Sequence, residues 1–176
     1  MNADMVGILS DTHDNIWALT AILRRFQEAG VSYVIHAGDF IAPFNAKYFA
    51  DMDAEFLGVF GNNDGEKIGL TKAFSLVGDL HSGPHPLRIG GKRFLVMHEP
   101  GAVDSIAKSG DYDCVVYGHT HEVDIRTIPR ASGDGETLVV NPGEGSGWVT
   151  GKATAVVLDL GTMSPETIEV PTHPSA

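Results

Sequence analysis

Positive charge is scarce in this sequence: 12 Lys and Arg stand against 23 Asp and Glu, for a formal charge of −11. The pI is ≈ 5.0 and the cations form no cluster, so binding of nucleic acid through a basic surface is not expected. Cysteine is nearly absent. Cys114 stands alone, which excludes an intrachain disulfide, and its apolar neighbours make it a buried, inert thiol suited to a reducing compartment, here the cytoplasm. Long hydrophobic runs are missing too. The first ten residues carry no Lys or Arg and no apolar leader core, and nowhere do 18 apolar residues follow one another, so neither a secretory signal nor a membrane span is expected.

What remains is an ordinary globular composition. Hydrophobic residues make up 43% and charged residues 20% of the 176, which excludes disordered and collagen-like classes. A chain of this length can bury roughly two thirds of the surface that its unfolded form exposes. One domain over residues 1–176 is therefore expected, needing neither disulfide nor metal merely to hold a core.

The apolar run Met5-Val6-Gly7-Ile8-Leu9 predicts a strand. Ile16, Leu19, Ile22, Leu23 and Phe26 then recur at helical spacing, with Asn15 as N-cap and Gly30 as terminator. A second apolar run at 33–37 gives strand, helix, strand, the order of a parallel crossover unit. Pro43 is placed to open a second helix carrying Phe44, Tyr48 and Phe49 inward. Residues 55–60 predict a third strand, 66–77 a short helix, and 78–86 a loop in which His81 and His85 are solvated. A Gly90-Gly91 turn joins strands at 87–89 and 93–97 as a hairpin. Residues 100–109 predict a helix with Val103, Ile106 and Ala107 inward and Gly110 at its end. Strands at 113–117, 123–128, 137–141 and 153–160 complete the pattern. Strand alternating with helix, followed by a strand meander, points to an α/β or α+β sandwich and not to a single doubly wound sheet.

Chemistry-bearing residues gather where these apolar runs stop. After the first run comes Ser10-Asp11-Thr12-His13-Asp14, where alternation along an extended segment would let Asp11 and His13 reach one point. Later runs end in Gly38-Asp39, in Gly61-Asn62-Asn63-Asp64-Gly65, at His98, and in Gly118-His119-Thr120-His121. Ligands bind beyond the carboxyl ends of parallel strands. Any one of these histidines alone would more often be a hydrogen-bonded core or surface residue than a ligand. Together, Asp11, His13, Asp39, Asn62, His98, His119 and His121 exceed what one metal ion takes up and suit two ions sharing a carboxylate. Asp39, in a short turn between the first and third strands, is the natural bridge. Two such ions can hold a hydroxide for in-line attack on a phosphate ester, and they supply the positive potential that the acidic chain lacks. His36, just before the Gly38-Asp39 turn, reads as a packed residue behind the ligands, and His173 as exposed in a Pro-containing tail.

The ordered blocks Asp-Thr-His at 11–13, Gly-Asp at 38–39, Gly-Asn at 61–62, His98 and Gly-His-Thr-His at 118–121 resemble the calcineurin-like metallophosphoesterases. The resemblance runs from about residue 5 to about residue 145 and is strongest to their small, single-domain bacterial and archaeal phosphodiesterase branch. It implies a four-layer αββα sandwich, two mixed β-sheets flanked by helices. It also implies one metal held by Asp11, His13, Asp39 and His121, and a second held by Asp39, Asn62, His98 and His119. Manganese is the metal it favours, with nickel, iron, cobalt or zinc compatible with these ligands. Asn141-Pro142-Gly143 matches a loop that such proteins carry near the site, without an assigned role.

One departure stands out. Many relatives have His directly after the Gly-Asn pair, whereas this chain has Asn63. An amide has no titratable proton near neutral pH, so Asn63 can hydrogen-bond the phosphate without serving as general acid, which favours esters with good leaving groups such as aryl phosphodiesters. Asp64 is the alternative acid. The expected activity is phosphodiester hydrolysis, with Asp39, Asn62, Asn63 and His98 at the reacting centre and monoester hydrolysis as its nearest variant. The expected partner is a small phosphate ester, not nucleic acid or membrane, with homo-oligomerisation left open. The contrasting reading is a protein-binding scaffold that resembles the retromer small subunit on the same fold.

Overall fold

A computed structural model describes residues 5–174. It opens in the expected order, with β1 (Met5–Leu9), α1 (Ile16–Glu28) and β2 (Val31–His36). The Asn15 side chain starts α1 by accepting from the Ala18 N–H, and Gly30, at φ 69°, turns the chain back where a side chain would be strained. The helix buries Ala18, Leu19, Ile22, Leu23 and Phe26. Gly7 lets Phe26 lie against the sheet, because a Cβ on it would overlap the ring.

The second predicted helix is shorter than expected. Pro43–Asn45 is a 3-10 turn and α2 (Ala46–Phe49) adds a single α turn. So short a segment offers the core one narrow face, which takes Ala46 and Phe49, and leaves Phe44 50% exposed instead of inward. β3 (Glu55–Val59) and α3 (Lys67–Phe74) follow. The segment 78–86, expected as a loop, instead contains β4 (Gly78–His81) and the start of β5 (His85–Ile89). Gly78 makes this edge strand fit, since any Cβ there would collide with the Phe56 carbonyl of β3. His81 and His85 are half-buried and stack face to face at 3.6 Å between centroids, so they are not the solvated loop residues expected.

β5 and β6 (Lys92–Val96) form the expected antiparallel hairpin. The chain continues through α4 (Val103–Ser109), β7 (Cys114–Val116), β8 (Val123–Pro129), β9 (Glu136–Pro142), β10 (Ala153–Asp159) and β11 (Ser164–Val170). The last strand went unpredicted because only Ile168 and Val170 on it are buried and it lies at a sheet edge.

One mixed sheet runs β11-β10-β1-β2-β3-β4 and the other β5-β6-β7-β9-β8. Between them pack Val6, Ile8, Ile35, Val156 and Leu158 from the first sheet and Phe94, Val96, Cys114, Val116 and Val140 from the second. On the outer face of the first sheet, Val34, Phe56, Ala155 and Val157 pack on the α1, α2 and α3 residues Phe26, Phe49 and Phe74. On the outer face of the second, Leu95, Val115 and Val139 pack on Val103 and Ala107 of α4. The order is helix, sheet, sheet, helix, as the resemblance implies. Strands covered on both faces explain why the sequence shows continuous apolar runs there. No helix among the described residues is long and apolar enough to cross a membrane.

Candidate metal centre

The carboxyl ends of β1, β2 and β3 in one sheet and of β6 and β7 in the other converge, and the loops leaving them carry all seven ligand candidates. Their backbone is unusual. Asp11, His13, Asp39, His119 and His121 lie at φ 53°, 40°, 61°, 69° and 62°, five of the eight non-glycine residues with positive φ among those described. Each left-handed residue costs on the order of 1 kcal/mol, a strain that collects at functional loops. Asp11 and His13 therefore converge through a left-handed turn, not through the alternation of an extended segment. The motif glycines make room for this. A Cβ on Gly61 would collide with Asp39 Oδ1, and one on Gly118 with Ser10 Oγ.

Two donor groups result. In the first, Asp11 Oδ1 lies 3.3 Å from His121 Nε2 and 3.8 Å from His13 Nε2, which is in turn 3.6 Å from Asp39 Oδ2. In the second, His98 Nε2 lies 3.4 Å from Asp39 Oδ2 and 2.8 Å from Asn62 Oδ1, which is also 2.8 Å from His119 Nδ1. Ligand atoms about 2.1 Å from one ion stand roughly 3–3.5 Å apart, so the spacing suits shared cations. Asp39 Oδ2 touches both groups.

The electrostatics fit the same reading. Asp11 Oδ1 and His13 Nε2 are buried with no hydrogen-bond partner, a costly state for a carboxylate unless a cation sits beside it. His98 donates from Nδ1 to the Ala37 carbonyl at 2.8 Å, which in a neutral ring leaves the Nε2 lone pair facing Asn62 Oδ1, acceptor against acceptor. Burial lowers the pKa values of His13 and His98, yet the Asp11 carboxylate beside His13 and the Asp39 carboxylate beside His98 raise both overall. Burial alone would raise the Asp39 pKa, but the His98 ring, which when charged donates a second N–H, from Nε2, to Asp39, and the two Asn63 N–H groups hold it well below the ordinary carboxylate range. The field of the site favours positive charge.

A model of the calcineurin-like phosphoesterase superfamily domain matches residues 5–163. The chain belongs to this superfamily. Among phosphoesterase relatives it is 35% identical over 162 residues to phosphodiesterase MJ0936 of Methanocaldococcus jannaschii, covering 88% of this chain and 92% of that protein. It matches the solved structure of a novel archaeal phosphodiesterase with a TM-score of 0.86 at 32% identity, over 94% of this chain and 99% of the other. Vacuolar protein sorting 29 from Cryptosporidium parvum, 18% identical with a TM-score of 0.59, shares the fold alone, over 96% of this chain and 97% of the other. Membership of a metallophosphoesterase family implies divalent metal ions, and Asp11, His13, His121 and Asp11, Asp39, His98 are groups able to hold them.

Around the donors of this phosphoesterase lies a shell that the sequence showed only in part. Asn63, read as a hydrogen-bond partner of the phosphate, is exposed and holds Asp39: its backbone N–H donates to Asp39 Oδ1 at 2.8 Å and its amide to Asp39 Oδ2 at 2.7 Å. Asp64 is turned away from the centre and buried. Its carboxylate accepts from the backbone N–H groups of Asp39, Phe40, Ile41 and Gly61 at 2.7–2.9 Å, tying two ligand loops together, so it is no general acid. Asn141 has a structural role, donating to Gly118 O and Thr120 Oγ1 and so fixing the His119–His121 turn. His36 is fully buried, as read, and stacked on Phe40 at 3.7 Å. Two residues were missed. Glu144, fully buried, lies 3.6 Å from His121 Nδ1 while accepting from Ser146, Val149 and Thr150, and Trp148 donates from Nε1 to the His13 carbonyl at 3.0 Å.

Proposed function

We propose that this metal-dependent phosphoesterase hydrolyses small phosphodiesters with two divalent ions, manganese the first choice, sharing Asp39. Asp11, His13, Asp39 and His121 would hold one ion, and Asp39, Asn62, His98 and His119 the other. When bound, such ions lower the pKa of water toward neutrality and polarise phosphoryl oxygens. The chain's own residues pre-set the site. Asp64 locks the Asp39 and Asn62 loops in register, Asn63 holds both Asp39 oxygens, and Ala37 O fixes the His98 ring so that Nε2 faces inward. Asn63 itself carries no proton that titrates near neutral pH, which supports a preference for aryl over alkyl esters.

The observation that carries this reading is that one oxygen, Asp39 Oδ2, stands 3.6 Å from His13 Nε2 and 3.4 Å from His98 Nε2. The full donor set argues against a scaffold role, the net charge of −11 against nucleic acid, and the lone buried thiol of Cys114 for the cytoplasm. The test is to strip the protein with chelator, reload it with Mn²⁺, and measure bound metal beside hydrolysis of aryl diesters, alkyl diesters and aryl monoesters. About two equivalents of metal, with aryl diesters turned over fastest, is the expected result. A folded protein that takes up neither metal nor substrate would overturn the proposal, and equal chemical rates on aryl and alkyl esters would remove the role given to Asn63.

A further inference from the structure

Beside the second donor group opens a cavity of about 420 Å³ whose wall includes Asn62 and His98. That volume is within the range of small-molecule sites. Its position means that an ester held at the second group has one substituent free to enter it. The remaining wall is largely apolar, with Phe60 from the β3 end, Met97 from the β6 end and Ile106 from α4. Such a wall takes an aromatic or aliphatic body. Charge is confined to two side chains, Lys67 at the start of α3 and Glu99 on the loop before α4, both exposed.

Lys67 is the one cation lining this cavity among the described residues. Its ammonium sits 5.4 Å from the Phe60 ring centroid, over the aromatic floor, and no carboxylate among the described residues pairs with it, whereas Lys152 reaches Glu169 at 4.0 Å. A free ammonium in the wall that also holds Asn62 and His98, in a chain of net charge −11, is a specific attraction for a negative group on the substituent. Glu99 restricts where that group can lie: an anion on the Lys67 side is attracted, and one on the Glu99 side is repelled.

We infer that the cavity is the subsite for an ester substituent with an aromatic or otherwise apolar body and one anionic group, carboxylate or phosphate, with Lys67 as the specificity-determining residue. The inference rests on the phosphodiesterase reading. Its test uses symmetrical diesters, which present the same group to the cavity whichever alcohol departs: diphenyl phosphate, bis(4-carboxyphenyl) phosphate and bis(4-phosphonophenyl) phosphate. Intrinsic reactivity cancels when the variant is divided by the wild type. Lys67→Met keeps the stem over Phe60 and removes the charge. It should lower kcat/KM on an anionic ester about fivefold more than on diphenyl phosphate, the size expected for one partly screened ion pair. Lys67→Arg should restore the ratio, and the two anionic esters tell a carboxylate preference from a phosphate one.

Calorimetric binding of 4-carboxyphenyl phosphate and phenyl phosphate to Mn²⁺-loaded wild type and Lys67→Met supplies a readout independent of turnover. Charge-selective binding lost in the variant, without hydrolysis by either protein, would uphold the subsite and sink the catalytic reading. Hydrolysis with an equal effect of Lys67→Met on charged and uncharged esters would sink the subsite and leave the catalytic reading standing.

Discussion

Asn63 grips both oxygens of Asp39, its amide donating to Oδ2 at 2.7 Å and its backbone N–H donating to Oδ1 at 2.8 Å. The oxygen it holds is the one common to both donor groups. Asn63→Ala deletes the amide bond and keeps the backbone one, so Asp39 should stay near its position but gain rotational freedom. Metal affinity is expected to fall roughly tenfold, the lower end for loss of a group that orients a ligand. Titration of stripped protein with Mn²⁺ measures this, and unchanged affinity would mean that the amide does not orient Asp39.

Asp39→Asn removes the charge without changing the shape. A neutral amide brings no charge to offset the proposed cations, and one of the two carboxylate oxygens becomes an NH2 that cannot coordinate metal. The expected outcome is loss of both ions or of all turnover in a protein that still folds, measured by elemental analysis beside circular dichroism. Full activity with metal retained would contradict the shared role of Asp39.

The convergence of the seven candidate ligands was legible in the sequence because each falls just past an apolar run, and strand ends in parallel sheets are where sites form. Orientation was not legible. Whether Asn63 and Asp64 face the centre or the neighbouring loop depends on left-handed backbone at Asp39 and on the space left by Gly61, neither of which follows from periodicity. Glu144 escaped for another reason: it meets His121 only because β9 returns beside β7, a pairing made across a long span of chain. Edge strands β4 and β11 were missed or blurred because one side of each faces solvent and their polar residues mask the alternation.

Glu144 provides the next expectation. Its buried carboxylate lies 3.6 Å from the otherwise unpartnered His121 Nδ1, so it favours the tautomer with the proton on that nitrogen and the lone pair on Nε2. Glu144→Gln keeps the volume and removes the charge. The first donor group should weaken roughly 10–100-fold in metal affinity while the second changes little. Nitrogen chemical shifts of the His121 ring, with metal titration, separate this effect from simple loosening of the 144–150 loop. Equal weakening of both sites would assign Glu144 to loop packing alone.

His36 makes acid stability sensitive to one proton. Gly38 N–H donates to its Nδ1, so Nε2 carries the hydrogen given to Thr12 Oγ1 at 3.0 Å, and burial brings its pKa down from 6.5 to about 3. Between these values the unfolded chain binds the proton and the folded chain does not. His36 therefore contributes full stability above pH 6.5, and that contribution is lost progressively as pH falls toward 3. Urea unfolding of metal-free wild type and His36→Gln over this interval should show a shallower acid decline in the variant. Parallel declines would show that His36 does not drive it.

Gly118 serves space and not a left-handed backbone. Its φ is not positive, so an alanine there would have no backbone strain, yet a Cβ would overlap Ser10 Oγ and crowd Asp11 Oδ2. Gly118→Ala should cost about 1–3 kcal/mol of stability, as overpacking does, and displace Asp11 enough to weaken the first donor group. Ser10→Ala removes the nearest obstructing atom, whose own hydrogen bond to Gly38 O is long at 3.5 Å. If the clash is the cause, Gly118→Ala should cost less in the Ser10→Ala background than in the wild type, with a coupling above about 0.5 kcal/mol. Simple additivity would locate the damage in the Asp11 carboxylate. That second outcome has its own signature, because metal affinity would then stay low in the double variant even where stability recovered.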